Sequence, residues 1–391
     1  MRELDFSPSL MEHYLQDPLL HEMFEQVRGA GPVRSMQMDI THKCNIRCQG
    51  CYFFSEELDQ FKAPEDESEF DDFVAREKAR GTNYVTVVGG EPSLMLGRLK
   101  KLYDNFWMIV VTNGIRKIPY EGFENLAIGC SVWGDHETDT RLRGSGKIDV
   151  FRRALENYKD DRRVVWYYTT TPGNAHEIEA VTEQCVANGN FMGYSFYGDI
   201  AHLGGAVDQK RGFGKVCDAI DRMIERYPDR VLHPWYVPKV VAEARLYDDI
   251  WGFDVCCTLS DDKPKNQERF NNGKPYNSHF RVYNPDLKST RVCCRSDKYD
   301  CENCYDTWAH IAWIMTNLEK HLGSEAEFSN WLATVFMFYL TNRIIDFERN
   351  VKLVAEIHQR LTYWRRQEEM AGAVPLAAAQ TRAEDLLYEA L

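Results

Sequence analysis

Short apolar runs alternate with segments of helical spacing through residues 35–227 of the chain. The runs are rich in Val, Ile, Tyr, Phe and Trp, which is typical of buried strands. The predicted strands are 35–40, 84–88, 107–114, 126–133, 163–170 and 191–197, and the predicted helices include 94–103, 150–158, 175–188 and 216–227. Strands that alternate with helices predict right-handed parallel crossovers in about six βα units, as an open sheet or as a barrel.

Helical spacing of apolar residues also marks both ends of the chain. Residues 4–28 predict a helix or two that cover one end of a core, and 307–318, 328–340 and 347–364 predict helices at the other end. The segment 328–340 is apolar enough to line a substrate pocket or a dimer face, although core packing is the usual explanation. We assign 1–34 to an N-terminal helical segment and 307–391 to a C-terminal helical region.

The overall composition narrows the class of protein. The 391 residues allow one large domain with appendages or two domains, and the formal net charge of −13 argues against general affinity for nucleic acid or an anionic membrane. No apolar run approaches the roughly 18 residues that span a bilayer, and the N-terminus lacks a secretion-signal profile. We therefore expect a cytoplasmic protein whose 12 cysteines serve metal or redox sites rather than disulfides.

Three cysteines stand on one short loop directly after the first predicted strand. Cys44, Cys48 and Cys51 have C-x3-C-x2-C spacing, which suits a zinc ion or an iron–sulfur cluster because thiolates are soft ligands. A closed zinc site or an electron-transfer cluster uses four protein ligands, so a cubane held by three cysteines keeps one iron open. The alternative is a zinc site with its fourth ligand elsewhere, for which His42 is a candidate.

This loop resembles the signature of the radical S-adenosylmethionine (SAM) enzymes. Gly50 replaces the aromatic residue that commonly precedes the last cysteine, as also happens in the adenosyl-hopanoid synthase branch. The resemblance implies that Cys44, Cys48 and Cys51 bind a 4Fe–4S cluster, and that the cluster cleaves SAM reductively. It also implies a partial (β/α)6 TIM barrel with its chemistry at the C-terminal strand ends, and an electron donor of the flavodoxin or ferredoxin type.

A second motif, Gly89-Gly90-Glu91-Pro92, follows the predicted strand 84–88. Alone it is a common strand-end turn, but after the cysteine loop it matches the SAM-amino site of that family, with Glu91 as the acceptor. The resemblance further places Asn113 at the next strand end, Ser131 near the SAM ribose and Arg143 near the SAM carboxylate. Arg143 stands before Gly144, so it can instead simply cap the next helix.

Six further cysteines are grouped near a predicted hairpin. They are Cys256-Cys257, Cys293-Cys294 and Cys301-x2-Cys304, and two β-runs between 279 and 293 are joined at Asn284-Pro285-Asp286. The arrangement resembles the twitch or shortened SPASM extensions, which bind an auxiliary 4Fe–4S cluster. Comparison with the adenosyl-hopanoid synthases favours Cys257, Cys293, Cys301 and Cys304, with Cys256 and Cys294 as alternates, and a zinc site is the competing reading. The predicted domains are a barrel over 35–235 and this subdomain over 236–306.

The substrate is the least defined feature. The catalytic residues are unassigned, with Tyr197, Asp199 and His233 as weak candidates near the substrate wall. Because only 34 residues precede Ser35, we expect a small-molecule substrate that undergoes oxidation, epimerisation or rearrangement. The alternatives are modification of a ribosomally made peptide and adenosyl addition to an alkene, and, from a different class, a non-catalytic iron–sulfur or zinc-binding protein.

Overall fold

A computed structural model describes residues 8–197, 209–243, 258–264, 266–267, 279–294, 297 and 304–370. Its centre is one parallel sheet built from the predicted apolar runs. The strands are β1 (Ser35–Asp39), β2 (Tyr84–Val88), β3 (Trp107–Thr112), β4 (Ala127–Val132), β5 (Val164–Thr170), β6 (Phe191–Phe196) and β7 (Val282–Tyr283). All of the predicted strands are therefore present, within a residue or two of their expected ends.

The order of the strands in the sheet is β6-β5-β4-β3-β2-β1-β7, so neighbours in the sequence are neighbours in space. Every described pairing between named strands is parallel, for example Ser35 with Tyr84 and Val165 with Phe191. The sheet is open, because β6 and β7 end the order without pairing with each other. The prediction of a partial TIM barrel is confirmed.

Helices cover the outside of this sheet, and further helices precede its first strand and follow its last strand along the chain. They are α1 (Pro8–Tyr14), α2 (Pro18–Ala30), α3 (Tyr52–Ser55), α4 (Glu67–Ala79), α5 (Leu96–Tyr103), α6 (His136–Leu142), α7 (Val150–Asn157), α8 (Ile178–Ala187), α9 (Gln209–Arg226), α10 (Tyr236–Ala242), α11 (Thr307–Thr316), α12 (Glu325–Thr341), α13 (Phe347–Asn350) and α14 (Val354–Met370). In the described ranges, no helix combines the length and apolar composition that crossing a bilayer requires.

The alternation of strands and helices is interrupted once. β3 and β4 are parallel neighbours, yet the connection 113–126 between them contains no helix. Arg163, which lies just before β5, holds this connection by donating hydrogen bonds to the carbonyls of Ile118, Pro119 and Phe123. These bonds satisfy backbone acceptors that a helix would otherwise have satisfied internally.

The interior of the open barrel is filled by aromatic side chains from the strands and from the C-terminal helices. The ring of Tyr167 lies between Gly129 and Gly193, where an added Cβ would come within 2.9 and 3.0 Å of its carbons. Trp308 of α11 packs on Tyr167 with ring centroids 5.8 Å apart, and Phe338 of α12 lies 5.8 Å from Trp308. The C-terminal helices thus complete the core at the open side of the barrel.

The N-terminal helices, which the sequence predicts to cover one end of a core, pack on this C-terminal layer. The ring of Tyr14 in α1 lies 5.5 Å from that of Phe328 in α12, and its hydroxyl donates to Leu322 O at 3.0 Å. The Tyr339 hydroxyl donates to Gly31 O, just after α2, at 2.9 Å. The strongly apolar stripe of α12 is therefore core packing, since nearly all of its side chains are buried.

The predicted hairpin is present and is attached to the barrel. Tyr283 pairs antiparallel with Thr290, while β7 pairs in parallel with β1 through Gln37 and Met38. The subdomain predicted over 236–306 therefore contributes one edge strand to the barrel sheet. Beyond the hairpin, Cys293 forms an antiparallel bridge with Leu259.

Candidate active site

A cavity of about 360 Å³ opens at the C-terminal ends of the strands. Residues from the ends of β2, β3, β4 and β6 line it, together with the cysteine loop and the start of α11. The sequence-predicted residues that line it are Cys44, Cys48, Cys51, Gly89, Gly90, Glu91, Asn113, Ser131, Arg143 and Tyr197. Folding therefore gathers onto one cavity residues that are spread over more than 150 positions of the chain.

The cysteine loop presents its thiols to this cavity. Burial raises the pKa of Cys44 to about 11 and that of Cys48 to about 12, and burial also raises the pKa of Cys51. These thiols would stay protonated at neutral pH unless a cationic centre stabilised the thiolates. Three partly buried thiols that line one cavity fit a soft, cationic metal group.

A zinc site completed by His42 does not fit the geometry. The Nδ1 atom of His42 accepts a hydrogen bond from Ala63 N at 3.1 Å, and His42 does not line the cavity that the thiols share. Within the described residues, no three His, Cys, Asp or Glu side chains stand close enough to hold a single metal ion. A 4Fe–4S cluster binds each cysteine through a different iron, so its ligands need not meet at one point.

The Gly-Gly-Glu turn packs directly on the cysteine loop. Gly90 N donates to Thr41 O at 2.9 Å, and Glu91 N donates to Lys43 O at 2.8 Å. A Cβ on Gly90 would lie only 2.0 Å from Lys43 O. The two glycines therefore permit a close approach between two backbone segments, which fixes the loop against the end of β2.

The Glu91 carboxylate is buried and organises the next strand end. Its oxygens accept hydrogen bonds from Ser93 N at 2.9 Å, Thr112 Oγ1 at 2.5 Å and Asn113 N at 2.9 Å. A carboxylate offers about four acceptor positions, so one remains for a ligand in the cavity. Asn113 continues the connection, because its Nδ2 donates to Asn45 Oδ1 of the cysteine loop at 2.7 Å.

Arg143 is held at the end of β4 by a buried ion pair. Its Nη1 lies 3.0 Å from Asp139 Oδ2 and donates to Ser131 O at 2.6 Å. Burial opposes the charge of the guanidinium, but Asp139 outweighs this effect and raises the pKa of Arg143. Arg143 also ends α6 as its C-cap, so it closes the preceding helix and does not begin the next one. The guanidinium nevertheless lines the cavity.

The weak catalytic candidates are placed differently from one another. Tyr197 lines the cavity, its hydroxyl donates to Gly50 O at 3.2 Å, and its ring lies 5.3 Å from that of Trp133. His233 is buried and lines a separate small cavity, and burial lowers its pKa to about 3. It does not line the main cavity with the three cysteines. Asp199 lies outside the described residues.

The second cysteine group is only partly within the described residues. Cys256, Cys257 and Cys301 lie outside them, whereas Cys293, Cys294 and Cys304 lie inside. Cys294, the alternate of its pair, lines the main cavity, and its Sγ accepts a hydrogen bond from Thr258 Oγ1 at 3.3 Å. Cys293 does not line that cavity and packs against the main core.

Several residues of the site carry no sequence motif. Phe53, Trp133, Phe280, Asp306, Trp308 and Phe338 line the cavity. Arg291 lies beneath the site and pairs with Asp39, the last residue of β1. An acidic residue at the end of a predicted strand was the one available signal for this pair, because a buried charge needs a partner.

No model of a known protein family matches this chain, and no curated protein is similar to it. Among solved structures, Streptococcus suis SuiB bound to S-adenosylmethionine has 12% identity and a TM-score of 0.40, covering 73% of this chain and 67% of that one. The enzyme anSMEcpe with bound AdoMet and a Cp18Cys peptide has 16% identity and a TM-score of 0.46, with coverages of 76% and 84%. HydG, a maturase of the FeFe-hydrogenase, has 14% identity and a TM-score of 0.40, with coverages of 92% and 87%.

Two of these structures contain bound S-adenosylmethionine. At these identities and TM-scores the similarity assigns no activity to this chain, and the peptide bound to anSMEcpe says nothing about the substrate here.

Proposed function

We propose that this protein is a radical SAM enzyme that acts on a small molecule. The observation that carries the proposal is that three partly buried cysteines line one cavity at the C-terminal strand ends together with Glu91, Asn113, Ser131 and Arg143. A zinc-binding or electron-carrier protein would have no need of the four additional side chains. When bound, the 4Fe–4S cluster and SAM supply a 5′-deoxyadenosyl radical that removes a hydrogen atom from a C–H bond of the substrate.

The protein's own residues bind and orient the two groups. Cys44, Cys48 and Cys51 hold the cluster, and the free acceptor position of Glu91 receives the SAM ammonium group. Arg143 carries a positive charge toward the cavity for the SAM carboxylate, and Ser131 at the end of β4 meets the ribose. Because buried hydrogen bonds hold Glu91 and a buried ion pair holds Arg143, these two side chains would be in position before the reaction begins.

The aromatic walls of the cavity would keep water away from the reacting groups. Phe53, Phe54, Trp133, Phe280, Trp308 and Phe338 supply an apolar surface around the polar SAM-binding edge. The cavity has a volume of about 360 Å³, which SAM and the substrate would have to share, and this favours a small substrate. The net reaction would then depend on which substrate binds against these aromatic side chains.

The test is reductive cleavage of SAM. Protein reconstituted anaerobically with iron and sulfide, and reduced with dithionite, is expected to release 5′-deoxyadenosine and methionine in equal amounts. The Cys44→Ala/Cys48→Ala/Cys51→Ala variant is expected to release neither, whereas Cys217→Ala, a cysteine outside the cavity, serves as the matched control. A wild-type protein that binds four irons but cleaves no SAM contradicts the proposal.

We further propose an auxiliary 4Fe–4S cluster held by Cys257, Cys293, Cys301 and Cys304. The position of Cys294 on the main cavity supports this choice within the pair, since Cys293 is then the residue left for another site. Iron and sulfide analysis with Mössbauer spectra separates the outcomes. About eight irons per chain in the wild type and four in the triple alanine variant support two clusters. About four irons in the wild type and none in the variant would show that there is no auxiliary cluster.

A further inference from the structure

Three charged side chains line the candidate active site within the described residues, namely Glu91, Arg143 and Asp306. Glu91 accepts three hydrogen bonds, and Arg143 pairs with Asp139. Asp306 is different, because its carboxylate accepts a single hydrogen bond, from Ala309 N at 2.7 Å. Among the described residues it forms no ion pair with a Lys, Arg or His side chain.

The position of Asp306 is fixed by its neighbours. It is the N-cap of α11, and the next residue, Thr307, accepts a hydrogen bond from Phe196 N of the edge strand β6 at 3.1 Å. The carbonyl of Asp306 also accepts a bond from His310 Nδ1 at 2.7 Å. The carboxylate is thus anchored at the open edge of the barrel rather than on a freely moving loop.

The cavity that Asp306 lines is rich in aromatic side chains. Trp133, Tyr197, Trp308 and Phe338 are among them. A carboxylate beside such walls loses part of its hydration, and a cation that binds there restores the lost stabilisation. The faces of Trp and Tyr rings also attract an ammonium group.

We propose that Asp306 binds a protonated amino group of the substrate, so that the substrate is an amine with an apolar body. The proposal rests on the proposed function, because it assigns the substrate class of that same site. The ammonium group of SAM belongs at Glu91, at the end of β2, whereas Asp306 lies beside β6 at the far edge of the strand order. The cavity therefore has a separate carboxylate for each of two ammonium groups.

The test uses 2-phenylethylamine as the probe and 2-phenylethanol as its neutral isostere. Both are titrated calorimetrically into anaerobically reconstituted protein with SAM bound. The amine is expected to bind more tightly than the alcohol. Asp306→Asn is expected to lower the affinity for the amine by about tenfold while leaving the affinity for the alcohol unchanged. Asn is as good an N-cap as Asp, so α11 keeps its cap.

Asp346→Asn is the matched control, since Asp346 is an exposed N-cap that accepts from Arg349 N at 2.8 Å outside the cavity. An amine affinity that Asp306→Asn leaves unchanged overturns the proposal, as does a wild-type protein that does not prefer the amine. A loss of SAM affinity in Asp306→Asn also overturns it, because the carboxylate would then serve SAM. The proposed function can fail on its own. In that case the wild-type protein cleaves no SAM but still binds the amine more tightly than the alcohol.

Discussion

Arg291 and Asp39 form a fully buried ion pair that joins the hairpin of the C-terminal cysteines to the end of β1. Arg291 Nη1 also donates to Asn284 Oδ1 at 2.9 Å, and the Tyr52 hydroxyl donates to Asp39 Oδ1 at 3.4 Å. Burial opposes the guanidinium charge, but Asp39 and Tyr52 outweigh this and raise the pKa of Arg291. Because Tyr52 follows Cys51 directly, the pair connects the two cysteine regions through a few hydrogen bonds.

Replacing Arg291 by Met is expected to lower the free energy of unfolding by about 3–5 kcal/mol, because Asp39 is left buried without its counter-ion. Urea unfolding of the single and double variants measures this. The double variant Asp39→Asn/Arg291→Met is expected to be less destabilised than the sum of the single variants, since neither charge is then buried alone. Glu348→Gln breaks the exposed pair with Arg162 and is expected to change stability by less than about 1 kcal/mol. If Arg291→Met and Glu348→Gln lowered the free energy of unfolding equally, burial would not be the reason that the Asp39–Arg291 pair matters for stability.

Gly90→Ala is expected to displace the cysteine loop, because the new Cβ would meet Lys43 O at 2.0 Å. We expect a loss of more than about 1 kcal/mol of stability and a clear fall in iron bound per chain on reconstitution. Gly97→Ala is the matched control, since nothing lies within 4 Å of its added Cβ in helix α5. That change is expected to keep full iron content and to stabilise the helix by roughly 0.5–1 kcal/mol. Normal iron content in Gly90→Ala would show that the contact does not position the loop.

Glu91→Gln is expected to weaken SAM binding by about tenfold or more, because a neutral amide replaces the carboxylate that receives the ammonium group. Equilibrium binding of SAM to reconstituted protein measures the effect, with iron content recorded to verify that the cluster is intact. Glu69→Gln is the control, as Glu69 is a surface residue paired with Lys288. An unchanged SAM affinity with normal iron would remove Glu91 from the proposed site.

Stability is expected to fall as the pH drops below 6.5, and His321 is one cause. Burial lowers its pKa to about 4, while its Nδ1 donates to Asn317 O at 2.7 Å and its Nε2 accepts from the Tyr236 hydroxyl at 2.9 Å. Between the folded and unfolded pKa values the unfolded state binds the extra proton, so acid favours unfolding. Between pH 6.5 and pH 5 this residue alone contributes up to about 2 kcal/mol. Urea titrations at both pH values measure the free energy of unfolding. Its pH dependence should be smaller in His321→Gln than in the wild type, and unchanged in the control His176→Gln, which replaces an exposed side chain.

The sequence alone determined the features that local patterns encode. The strands of the barrel follow from apolar runs of strand length, and Cys44, Cys48, Cys51 and the Gly-Gly-Glu turn stand in motifs of fixed short spacing. Asn113 and Ser131 come directly at strand ends, so the rule that parallel strands align their C-terminal ends brings them to one edge. The side chains in these motifs are positioned mainly by the chain immediately before and after them.

Only the tertiary structure decided which distant residues meet. The pairing of Asp39 with Arg291 joins residues 252 positions apart, and the approach of Asp306 and Trp308 to the cavity depends on how α11 covers the edge of β6. His233, which the sequence offered as a catalytic candidate, lines a separate small cavity and not the one that the three cysteines line. Such contacts depend on how helices and hairpins pack across the sheet, and that packing is set by the fit of many side chains at once rather than by spacing along the chain.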